Sequence, residues 1–117
     1  MKYILLIHHE EVLGEGERQH LLEESVQLAY QLHAKGQYLD AAPLHPTSAT
    51  VSVKVRDGGR FVTDGPFAET REQIGGYFLI EARDRDEAID IAGKIPGARI
   101  GTVEVRPVRE VEGLPRI

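Results

Sequence analysis

The chain has 117 residues, 41% of them hydrophobic and 28% charged, with a formal net charge of −5 and no cysteine. That length sets the expectation of a single domain, residues 1–117, around one core. The missing cysteines exclude disulfides, thiolate metal sites and a cysteine nucleophile, and the acidic balance argues against non-specific nucleic-acid binding, which needs a basic surface.

Residues 3–7 are a continuous apolar run, too short for a helix, and read as a strand buried on both faces. The run is also too short for a signal-peptide core, and no segment approaches a membrane span, so a cytoplasmic protein without membrane contact is expected. Residues 10–17 are polar with two glycines and read as a loop. From Glu17 to Lys35 the period becomes helical: Leu21, Leu22, Leu28, Ala29 and Leu32 fall within about 120° of arc. Gly36 follows as a C-terminal cap. Residues 37–44 make a short strand ended by Pro43 and Pro46.

Residues 50–56 alternate, Val51, Val53 and Val55 against Thr50, Ser52, Lys54 and Arg56, which is the pattern of a half-buried strand. Asp57-Gly58-Gly59 is a hairpin turn signal, and residues 60–63 return as the partner strand. Asp64-Gly65-Pro66-Phe67 then breaks regular structure. Residues 76–82 are another apolar strand. Asp84 and Glu87 have capping-box spacing ahead of a helix whose narrow apolar face is Ala88, Ile91, Ala92 and Ile95, stopped by Pro96-Gly97. Residues 100–108 are the last strand.

The order is β-α-β, an inserted β-hairpin, then β-α-β. It predicts an α+β domain of the ferredoxin-like, split βαβ kind, with both helices on one face of the sheet. The first strand and the strand around Phe78 are apolar on both sides, whereas two helices cover only one side. A second copy stacked on the open face would bury the other, so a homodimer is expected.

The segment Thr63-Asp64-Gly65-Pro66-Phe67-Ala68-Glu69-Thr70-Arg71-Glu72 resembles the signature of the DGPF-domain family, the bacterial branch of the YCII-related proteins. Gly75-Gly76-Tyr77-Phe78, Asp86-Glu87-Ala88 and Val103-Glu104-Val105-Arg106-Pro107 are similar to the family pattern in the same order. The resemblance implies a dimeric α+β barrel. Most members have no assigned activity, and some YCII-related proteins are thought to be small lyases using a histidine and an aspartate. Members of the DGPF branch are often encoded beside sigma factors of the extracytoplasmic-function type. This chain departs from the pattern at Ser25, which by count from Gly36 takes the place of the histidine on the inward face of the first helix. Serine is no base near neutral pH. The family pattern carries lysine where Arg71 stands, and the two cations are not equivalent.

Candidate chemistry is spread along the chain. Asp64, with Gly65 and Phe67, edges a pocket or is simply a turn. Glu69 is a candidate acid or base and Arg71 a candidate carboxylate binder, in a segment otherwise read as a solvated surface run. Glu104 and Arg106 share one face of the last strand and, if the valines face the helices, form either a polar floor for a ligand or a structural ion pair. His8 and His9 face opposite sides, so one of them reaches any given cleft as a general base; the alternative is a strand end at the solvent boundary. Histidine spacing is poor for a metal, and none is expected. The expected function is a homodimer binding a small molecule, an anion fitting its arginines, with cofactor-free lyase or isomerase chemistry by acid–base catalysis. Asp64, Glu69 and His8 are its catalytic candidates, and Arg71, Glu104, Arg106, Ser25, His9, Gly65 and Phe67 its binding candidates. The alternative is a non-enzymatic accessory protein linked to such a sigma factor.

Overall fold

A computed structural model describes residues 1–115. The elements run β1 (Lys2–His9), α1 (Glu15–Ala34), β2 (Tyr38–Pro43), β3 (Val51–Arg56), β4 (Gly59–Asp64), β5 (Gln73–Glu81), α2 (Arg85–Lys94) and β6 (Gly101–Pro107), with short 3₁₀ turns at Thr47–Ala49 and Pro96–Arg99. Four strands make one sheet in the order β2-β5-β1-β6, each neighbour antiparallel, and β3 and β4 pair only with each other.

Local chemistry sets the ends of these elements. α1 begins two residues before its apolar period, with Glu15 and Glu17 in the first turn, where acidic side chains suit the helix dipole. It ends in a Schellman arrangement: Gly36 takes φ 70°, its N–H bonds to His33 O and that of Gln37 to Leu32 O. At α2, Asp84 accepts from the N–H of Glu87 at 2.9 Å, while Glu87 reaches back to the N–H of Arg83 at 2.8 Å rather than to that of Asp84. Asp57 and Gly58 both have positive φ, the type I′ geometry whose twist suits a two-residue hairpin.

Alternation along the strands sorts the two faces. Tyr3 and Leu5 of β1, Phe78 and Ile80 of β5, and the half-buried Val103 and Val105 of β6 join Leu28, Leu32, Ala88, Ile91, Ala92 and Ile95 in one core. Register opposes Ile4 and Leu6 to Leu79 and Tyr77 on the other face, where they are half-buried. There the hydroxyl of Tyr77 donates to Asp40 at 2.6 Å, and that bond holds the phenol pKa above its ordinary value. No helix among the described residues is long and apolar enough to cross a membrane.

Candidate functional site

The apolar stripe of α1 does two different things along its length. Leu28 and Leu32 are buried in the core, whereas Leu21 and Ala29 are half-buried and Leu22 and Val26 exposed. Beside these core positions, residues of α1 from Arg18 to His33 line a cleft of about 610 Å³. Its walls are mainly apolar: Leu21, Leu22, Val26 and Ala29 from α1, Ala41 and Ala42 from β2, Phe78 from β5, and Ile7, Leu13 and Ile100. Two glycines allow close approach, Gly76 to the backbone of β2 and Gly97 to the side chain of Ile7. A Cβ on Gly76 would meet Ala42 O at 2.9 Å, and one on Gly97 would overlap Ile7 Cγ2.

Polar side chains also line this cleft, among them His9, Glu10, Glu11, Arg18, Ser25 and His33. His9 Nδ1 lies 2.9 Å from the backbone oxygen of Glu10. A carbonyl only accepts, so Nδ1 carries the proton and Nε2 is the basic atom of the neutral ring. The ring lies against Gly75, where a Cβ would overlap Nε2. The Glu10 carboxylate meets Arg71 Nε at 2.7 Å. Glu11 accepts from Thr47, whose hydroxyl first and backbone N–H second hold its carboxyl below the usual range. Both acids are therefore engaged by partners of their own. Among the described residues Arg18 has no carboxylate within ion-pair distance, which leaves a cation beside an apolar cavity.

The residues singled out in the sequence fall in four places. His9 and Ser25 line the cleft, although the hydroxyl of Ser25 donates to Leu21 O at 2.8 Å within its own helix. Glu69 and Arg71 line a shallower groove of about 410 Å³ behind Glu10 and Glu11, with Thr47 and Pro66. His8, Glu104 and Arg106 lie on the open face of the sheet, and His8 Nε2 is 3.2 Å from Glu104 Oε1. Asp64 and Gly65 close the base of the hairpin, where Gly65 takes φ 99°, bonds to Thr50 O and accepts from Ser52, while Phe67 is 96% exposed. His9 and Arg71 are joined only through Glu10, and the other groups are not brought together.

Sequence reading did not single out Arg18, Glu11 or Gly75, which line the cleft. The signal for Glu11 was its position two residues after a strand-end histidine. Arg18 gave none, since a cation in the first turn of an amphipathic helix looks like solvated surface. His20, on another side of α1, pairs instead with Glu24 at 3.1 Å.

Residues 1–112 match the model of the YCII-related domain, nearly the whole chain, so the protein belongs to that family. An uncharacterised protein of Rhizobium meliloti is 44% identical over 69 residues, which cover 57% of this chain and 56% of that relative. The match thus spans about half the length of either protein.

Proposed function

We propose that this YCII-related chain is a dimer of ferredoxin-like units whose α1 cleft binds a small amphipathic acid and exchanges a proton with it through His9 Nε2. The observation that carries this reading is the pairing of an apolar cavity of about 610 Å³ with an arginine that has no carboxylate partner among the described residues. An apolar body would enter between α1 and the sheet, and an anionic head would take a charge-assisted bond from Arg18. His9 lines the same cleft, with its tautomer set by Glu10 O. Proton abstraction next to the acid group, the first step of an isomerisation or elimination, fits that geometry. The strand order and the half-buried Ile4, Leu6 and Leu79 on the uncovered face support the ferredoxin-like dimer, because that face still meets water in one copy.

Calorimetry with a panel of branched and aromatic carboxylates tests the binding. Arg18→Ala is expected to weaken the best binder by about tenfold or more, the worth of one charge-assisted bond. His9→Gln is expected to keep binding and to abolish deuterium exchange at the carbon beside the carboxylate, followed by NMR. If no member of the panel binds, or if Arg18→Ala binds as the parent does, the reading fails. A monomeric mass by light scattering at micromolar concentration would remove the dimer.

A further inference from the structure

α1 is fastened to the rest of the chain unevenly. Its buried residues are Leu28 and Leu32, and none of residues 15–27 is buried. Glu24, Leu28 and Leu32 follow one another four residues apart, so they share one stripe of the helix. Where that stripe would put a third apolar side chain toward the core, it carries a carboxylate. Arg99 Nη2 donates to both oxygens of Glu24, at 3.0 and 2.8 Å, and His20 Nε2 lies 3.1 Å from the same carboxylate. Among the described residues, the Arg99 contact is the one side-chain hydrogen bond or ion pair that ties residues 15–27 to another element.

The two ends of this tie differ in rigidity. On the α1 side, the N-cap Gly14 supplies no side-chain hydrogen bond, and Gly16 lies in the first turn, where a glycine favours the unfolded backbone. On the other side, Arg99 belongs to the 3₁₀ turn Pro96–Arg99, in which Pro96 is fully buried and Gly97 is buried. That turn is a fixed post, and the start of α1 leans on it through a single ion pair. Both sides reach the cleft: Arg18, Leu22 and Val26 line it from residues 15–27, and Ile100 lines it beside Arg99.

We propose that residues 15–27 of α1 form a lid over the cleft, hinged where Leu28 enters the core and latched by Glu24 on Arg99. Opening breaks one part-exposed ion pair and unpacks no fully buried side chain of the segment, so its free-energy cost is small. The gating of the cleft rests on the acid-binding reading of the preceding section. Arg18 travels on the lid, so an anion bound to it favours the closed form, and the latch sets how fast that anion enters and leaves.

Amide hydrogen exchange by NMR on the full chain tests the lid without a ligand. Glu24→Gln and Arg99→Gln are each expected to speed exchange at the Leu22, Ser25 and Val26 amides several-fold and to leave the Leu32 amide as in the parent. Arg99→Gln keeps the sequence of α1 intact, so a response shared by both variants does not come from helix propensity. High salt should bring the parent to the rates of the variants. Stopped-flow fluorescence with anilinonaphthalene sulfonate, an apolar anion, then reads the gate: its release should quicken several-fold in both variants. Exchange that is unchanged in both variants, or that rises equally at Leu32, overturns the lid. Release at the parent rate from variants whose exchange has risen overturns the gating of the cleft. A parent chain that binds none of the probe counts against the acid-binding cleft, and the exchange pattern then decides the lid alone.

Discussion

Glu11 accepts two hydrogen bonds from Thr47, one from its backbone N–H at 2.9 Å and one from its hydroxyl at 2.5 Å. The pair joins residues 36 apart and ties the β1–α1 loop, the rim of the cleft, to the 3₁₀ turn that leads into the hairpin. Its pH dependence has a definite sign. Both bonds favour the ionised carboxylate, so the folded pKa lies below the unfolded one. The stabilisation is present above the unfolded carboxylate value and is lost as pH falls through the folded value. The protection factor of the Thr47 amide should therefore drop on acidification in the parent chain and be independent of pH over that window in Glu11→Gln. Equal pH profiles in the two proteins would disprove the staple.

Gly75→Ala tests how His9 is seated. The new methyl would overlap the imidazole at Nε2, which is the far end of a side chain free to rotate. The fold should survive at a cost of about 1–2 kcal/mol, while the ring leaves its place and its Nδ1–H loses Glu10 O. Nitrogen-15 spectra of His9 would report the change as a loss of the single Nδ1–H tautomer. An unchanged tautomer would mean the ring is held by something other than the space above Gly75.

Gly101→Ala is expected to be much worse. There the added Cβ would overlap the backbone oxygen of His8, where the two strands pair at His9↔Gly101. No side-chain rotation relieves a clash with backbone, so β6 must separate locally from β1, at about 3 kcal/mol or more. Urea unfolding of the two alanine variants should rank them in that order.

Core and cleft positions of α1 should respond differently to truncation. Leu32→Ala removes a fully packed side chain and should cost about 3 kcal/mol. Leu22→Ala lies over the cleft, 37% exposed, and should cost less than about 1 kcal/mol while enlarging the cavity. Similar losses at both positions would show that the cleft side of the helix packs as tightly as the core side.

Much of the secondary structure was legible because its signals are local. The alternation at Val51, Val53 and Val55, the Asp57-Gly58 turn, the glycine after Lys35 and the Asp84–Glu87 spacing each act within a few residues, and each forms the element it implies, although the valine face expected to be half-buried is more than half exposed because β3 pairs with β4 alone among the described residues. The same alternation also put His8 and His9 on opposite sides of β1. It did not say which side holds a cleft, and His9 takes that side because Tyr3, Leu5 and Ile7 point toward the helices.

The candidate site was hardly legible, for a reason visible in α1. Leu21, Leu22, Leu28, Ala29 and Leu32 form one stripe by angle, and angle carries no information on how far a helix stands from its sheet. Packing against strands distant in sequence makes Leu28 and Leu32 of that stripe core and Leu21, Leu22 and Ala29 cavity wall. In the same way the acidic signature around Asp64 drew attention to a conspicuous segment, while the cleft was assembled from Arg18, His9 and Gly75, which stand in three different elements or loops. Periodicity and turn chemistry determined the order and kind of elements. Only packing in three dimensions decided which side chains share a space, because the separations that make a site are set between segments that are not neighbours in the chain.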